Sequence, residues 1–170
     1  MIRTGGAVGP YVFANALLAG FFGFAAVYHL VMWTAWRRDR LLLFFGVRCL
    51  LAAALGTVIV GLCTAQTPDT AQRFINARFS TITLGVVAGG WTLSLLTGVR
   101  ARAYLWLVTV VFVTLAAINT LLIPLTATVL SVEQVTLPWG ESLSILHRGP
   151  VRWWIGPLYA LGASVDAFGT

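Results

Sequence analysis

Few residues in this chain carry chemistry, and the first pair flanks a basic turn. His29 and Arg48 stand in long apolar runs on either side of Arg37-Arg38-Asp39-Arg40. His29 lies eight residues before Arg37 and Arg48 eight after Arg40, so each sits about 12 Å along its helix if both runs are helical. In an antiparallel hairpin that is equal depth, and the two residues can be neighbours. Two readings fit. Ionisable groups inside a membrane are expensive and tend to be functional, which suits a proton- or anion-responsive pair. Alternatively, Arg48 snorkels about two helical turns to the interface while His29 hydrogen-bonds a neighbouring helix.

A second group, Trp139, Glu141, His147 and Arg148, falls in the only sizeable stretch that is not strongly apolar. It suits a ligand-recognition surface, because loops carry function. It equally suits a loop that docks on the bilayer through Trp139 together with Trp153 and Trp154, as interfacial tryptophans do. Asn15 and Asn119 lie in the outer halves of the first and fourth apolar runs, where cross-helix hydrogen bonds worth roughly 1 kcal/mol are expected. Asp69, Glu133, Glu141 and Asp166 are isolated, and no nucleophile–base set, paired carboxylates or phosphate-cradling glycine loop is written here. The chain is not expected to be an enzyme. His29 in an inner half and His147 in an outer loop do not suit bis-His haem ligation, no Cys-x-x-Cys-His motif is present, and no cysteine pair has metal-ligand spacing. No cofactor and no metal are expected.

Composition sets the class. Of 170 residues 59% are hydrophobic and 9% charged, with a mean hydropathy of +0.89, against roughly 25% charged in an average soluble domain. This is a polytopic membrane protein. The net charge of +6 comes from eleven arginines without a lysine. They cluster at the ends of apolar runs, as topology signals do, and not along one face as a nucleic-acid-binding stripe would. Cys49 and Cys63 are fourteen residues apart in one run, about 21 Å on a helix and too far for a disulfide. The first run is too long for a cleaved signal peptide and ends in positive charge.

Five helices are expected, at about 11–36, 41–63, 79–96, 103–125 and 153–168, with an outer loop at 129–152 that is either a small β-hairpin or a partly disordered segment. Residues 66–78 read as a polar connection that begins to wind near Ala71. Gly85, Gly89 and Gly90 form a small-residue face for close helix contact. The fifth run has sixteen residues, includes Asp166, and reads as a span cut short. The expected class is all-α, a polytopic integral membrane bundle of four full transmembrane helices plus a truncated fifth. Short loops rich in arginine stay in the cytoplasm, which puts the turns 37–40 and 98–102 inside and both the N-terminus and the 129–152 loop outside.

The order of several segments resembles a family. Val27-Tyr28-His29-Leu30, then Arg37-Arg38-Asp39-Arg40-Leu41 and Leu43-Phe44-Phe45, is similar to the first hairpin of bacterial seven-helix receptors with diverse intracellular signalling modules. Ala71-Gln72-Arg73, Ile118-Asn119-Thr120-Leu121-Leu122-Ile123-Pro124 and Thr136-Leu137-Pro138-Trp139-Gly140-Glu141 extend the likeness. The chain departs from that pattern by lacking a large folded periplasmic domain before the first helix, and helices six and seven with any effector. The resemblance implies an N-terminal fragment of a sensor in the bacterial inner membrane. It would be surrounded by lipid, dimerise through a missing cytoplasmic histidine kinase or diguanylate cyclase, and have no nucleic-acid partner. The competing class is an accessory subunit that docks on a larger membrane complex through the glycine face. A transporter is a weaker third, because no broken-helix repeat or charged central path is visible.

Overall fold

The computed structural model describes residues 9–98, 102–121, 125 and 128–150. It is mostly helical, and four of its helices are long and apolar enough to cross a membrane. Helix α1 spans Pro10–Ala35, opened by Gly9 and by proline at its first position. Helix α2 spans Arg40–Thr64; Asp39 of the basic turn caps it, accepting from the Leu41 N–H at 2.9 Å. The aspartate thus starts a helix, while the arginines around it supply the charge.

Helix α3 spans Pro68–Thr97 and begins eleven residues before the expected start at 79. The residues 66–78 are therefore mostly helix and not a connection. The reason is local: Thr67 caps the helix, accepting from the Thr70 N–H at 3.3 Å, proline occupies the first position and Asp69 the first turn, all helix-start signals. An apolar run marks only the part of a helix suited to lipid. Helix α4 spans Arg102–Leu121. The expected fifth helix at 153–168, with Trp153, Trp154 and Asp166, lies outside the described residues.

The stretch at 129–152 contains a two-stranded antiparallel sheet, β1 (Val129–Thr136) paired with β2 (Ser142–Arg148). Val135 faces Leu143, Glu133 faces Ile145, and the register breaks between Val129 and Ser131. The connecting turn is closed by the Leu137 N–H donating to the Glu141 carbonyl at 2.7 Å and the Gly140 N–H donating to the Leu137 carbonyl at 2.8 Å.

The main interfaces follow chain order: α1 packs on α2, α2 on α3, α3 on α4, and the hairpin on α2 and α3. The described helices therefore form a row in which α1 and α4 do not close on each other, rather than the ring of a closed bundle. Helix α1 buries only Val12 and Ala26 fully, while Phe13, Leu17, Phe21 and Phe24 are all more than half exposed. A helix apolar on every side is suited to lipid and not to water. Val58, Leu62 and Ile75 form one core, with Phe74, Val129 and Leu146 packed against it, so the hairpin belongs to the α2–α3 core. Val108 and Phe112 meet Val86 and Val87 between α3 and α4. Trp91 stacks on Phe44 at 5.7 Å and donates from its indole to the Thr109 hydroxyl at 2.9 Å, tying α2, α3 and α4 together.

The expected glycine face divides. Gly89 and Gly90 are buried, and so are not a free docking surface, whereas a Cβ at Gly85 would meet nothing within 4 Å. The close approach lies elsewhere. A Cβ at Gly56 would stand 3.0 Å from the Ala19 Cβ and 3.1 Å from the Asn15 carbonyl oxygen, so α1 and α2 meet backbone to backbone there. Gly56→Val is expected to destabilise the chain by about 1–3 kcal/mol through overpacking. Gly85→Ala is expected to be neutral or to stabilise by up to about 1 kcal/mol. Thermal unfolding of both variants in the same detergent checks the contrast.

Candidate functional site

A group of hydrogen-bonded polar side chains converges at the hairpin end of the row. Glu141 leaves the turn and folds back over the start of α1, where it is only 3% exposed. Its carboxylate accepts the Val12 N–H at 3.1 Å, the Tyr11 N–H at 3.4 Å and the Trp139 indole N–H at 3.0 Å. The first N–H groups of any helix have no partner within it. Gly9 has no side chain to supply one and Pro10 has no N–H, so the acceptor arrives from 129 residues away. A Cβ at Gly9 would coincide with the Glu141 carboxyl group, so glycine is required for the seat. The Trp139 hydrogen bond, and after it the Val12 and Tyr11 N–H groups, hold the Glu141 carboxyl below the usual glutamate range against the opposing effect of burial. The positive end of the α1 dipole acts in the same direction.

The hairpin holds two more helices. The Ser144 hydroxyl lies 2.9 Å from the Cys63 carbonyl and 2.7 Å from the Ala65 carbonyl, and the Gln134 amide donates to Ala65 at 2.9 Å. These are carbonyls at the end of α2, which lack partners within the helix. The Val129 N–H donates to the Gln72 side-chain oxygen of α3 at 2.8 Å, and Gln72 donates in turn to Asn76 at 2.9 Å. Next to this contact, Asn119 of α4 donates to the Asn76 carbonyl at 2.8 Å and to Ser80 at 3.1 Å, and accepts the Leu125 N–H at 2.9 Å.

The expected site residues separate accordingly. Glu141 faces the end of α1 instead of presenting its carboxylate at an open surface. The Trp139 ring is exposed, with its N–H engaged by Glu141. His147 lies 3.3 Å from Glu133 across the hairpin, and both are exposed. Arg148 ends β2 and is exposed. Asn119 bonds across helices, as its position suggests, but Asn15 donates to the Tyr11 carbonyl of its own helix at 2.9 Å. Among the described residues the expected cross-helix bond from Asn15 is not formed, its amide being taken by the carbonyl one turn back.

His29 sits among aromatic rings, with centroids 5.3 Å from Tyr28 and 4.7 Å from Phe45, and its buried Nδ1 has no hydrogen-bond partner. Arg48 is exposed. Among the described residues no hydrogen bond joins the two. Equal depth brings His29 to α2, where it meets Phe45, three residues before Arg48.

Sequence reasoning missed Gly9, Gln72, Gln134 and Ser144. A detectable signal existed only for Gly9: a helix opened by Gly-Pro without a serine, threonine, aspartate or asparagine cap requires an acceptor from elsewhere. No family model, curated protein or solved structure matches the chain.

Two outcomes follow from these contacts. Because the folded Glu141 titrates below its unfolded value, its contribution to stability is complete above the ordinary glutamate range and is lost as pH falls through the folded value. Amide exchange at Tyr11 and Val12 should accelerate on acidification in wild type, and should already be fast in Glu141→Ala at neutral pH. Asn119→Leu should cost about 1–3 kcal/mol, because it leaves the buried Leu125 N–H without an acceptor; thermal unfolding in detergent measures this.

Proposed function

We propose that this chain is the membrane-embedded sensory and anchoring module of a bacterial signal-transduction protein. In this reading α1 to α4 cross the inner membrane. The basic turns at 37–40 and 98–102 lie in the cytoplasm, following the arginine bias of short loops, and the hairpin faces outward. A stimulus read at the hairpin is relayed by the helices to a cytoplasmic histidine kinase or diguanylate cyclase effector that this chain does not contain. Dimerisation occurs through that effector.

The observation that carries the reading is the attachment of one small hairpin to three helix ends: Glu141 to the start of α1, Ser144 and Gln134 to the end of α2, and Val129 to Gln72 of α3. Anything that moves the hairpin changes how the start of α1 is held beside α2. The row supports the same reading, because among the described helices α1 packs chiefly on α2, so a change at its hairpin end bears on that one helix seam. A stimulus acts this way only if it stabilises one arrangement over the other.

The DNA following the Thr170 codon tests this directly. An open frame that enters further apolar spans and then a kinase or cyclase domain is the expected result, and a stop codon there overturns the proposal. With the whole gene expressed, Glu141→Ala should change effector output while membrane insertion remains normal.

A further inference from the structure

Beside the Glu141 clamp lies a cleft of about 440 Å³ between α1, the last turns of α2, α3 and β2. Tyr11, Arg78 and Arg148 contribute its polar wall, and Ile59, Leu62 and Leu146 its apolar one. Arg78 comes from α3 and Arg148 from the hairpin, so the site exists only when the hairpin is docked. We propose that this cleft binds the phosphate head of an anionic phospholipid, with the two guanidinium groups as its ligands.

Three observations carry the assignment. The first is charge: both arginines are exposed at the cleft, and among the described residues neither has an acid within ion-pairing distance, the one ion pair there being His147 with Glu133. A guanidinium is built to hold phosphate oxygens through two parallel hydrogen bonds. The second is depth. Residues 79–97 of α3 carry no charge, and Arg78 stands nineteen residues, about 28 Å, from Thr97 at the other end of the helix. That is nearly the full thickness of a hydrocarbon core of about 30 Å. Arg78 is the residue at which α3 leaves the layer of lipid tails and reaches the layer of phosphates, and its side chain tilts toward the helix start. Tyr11, at the first turn of α1, has the amphipathic ring favoured at that boundary.

The third observation is the mixed wall. A free phosphate ion gains nothing from Ile59, Leu62 and Leu146, whereas the glycerol and upper methylenes of a lipid are sheltered by them. The positive-inside rule makes the point sharper. In the proposed orientation, arginine at the hairpin end is not a topology signal, and Arg78 and Arg148 require another use. The assignment goes beyond the sensor reading and rests on its membrane insertion and orientation but not on any effector, so it can fail while the sensor stands, or hold in a chain with no effector.

Native mass spectrometry of the purified full chain tests it, from micelles mixed with dioleoylphosphatidylglycerol and dioleoylphosphatidylcholine. Wild type should retain the anionic lipid in preference to the zwitterionic one, and retention should fall as salt rises. Arg78→Gln and Arg148→Gln should each lower retention about fivefold, the usual contribution of one basic residue at an anionic surface. Arg73→Gln, exposed on the same helix but not lining the cleft, should leave it unchanged, and circular dichroism should show equal helicity throughout. Equal retention of both lipids overturns the proposal, as does retention that survives the double Arg78→Gln, Arg148→Gln change. Displacement of the lipid by an equal concentration of inorganic phosphate would make this a soluble-anion site and overturn the lipid assignment. If a glutamine variant loses helicity, the wild-type salt series decides alone, and salt-independent retention overturns the proposal.

Discussion

The hairpin end depends on one carboxylate. Glu141 supplies what Gly9 and Pro10 cannot, an acceptor for the first free N–H groups of α1, and it does so from a turn that the Trp139 indole holds in place. Remove that acceptor and α1 is anchored only along its seam with α2, since it buries almost nothing else. Geometry leaves no substitute. A side chain at Gly9 would occupy the position of the carboxyl group, so with glycine at the cap position the helix takes its side-chain acceptor from the hairpin. A helix end without water around it cannot leave its polar groups unpaired, and the same rule explains why Ser144 and Gln134 reach the carbonyls that end α2.

The described helices form a row and not a ring. Each helix packs on its chain neighbour, and the aromatic contact of Trp91 with Phe44 and Trp106 ties the middle of the row together. In water such a row would expose too much apolar surface to be stable. In lipid, apolar contact between helices has no hydrophobic drive, so polar contacts at the ends and close backbone approach at Gly56 carry the specificity of packing. The network of Asn119, Ser80, Asn76 and Gln72 does for α3 and α4 what the hairpin does for α1 and α2.

These features couple the helix ends in a simple way. A small sheet fastened to three helix ends by a handful of hydrogen bonds couples those ends to one another, and a cleft partly walled by that sheet couples them to whatever occupies it. Arg148 travels with the hairpin and Arg78 with α3, so an anion held by both would favour the docked arrangement. Energetic coupling of this kind requires only a difference in affinity between two arrangements.

The parts governed by local chemistry are legible in the residues alone. Apolar length and low charge mark four helices suited to a membrane, although α3 starts at Pro68, eleven residues before its apolar run, and the alternation around Pro138-Trp139-Gly140 admits a hairpin as one of two readings. Cys49 and Cys63 were separable from a disulfide by helix rise alone, and Asn119 was recognisable as a cross-helix donor. The tertiary structure decided what depends on contacts remote in the chain. It closed Glu141 onto α1 across 129 residues, turned Asn15 back on its own helix, set the His29 ring against Phe45, and gathered Arg78 and Arg148 around one cleft. Depth along a helix follows from counting residues, because the rise per residue is constant. Which face meets which partner does not, because it depends on how the elements are rotated and packed, and periodicity cannot report this where helices are apolar all round.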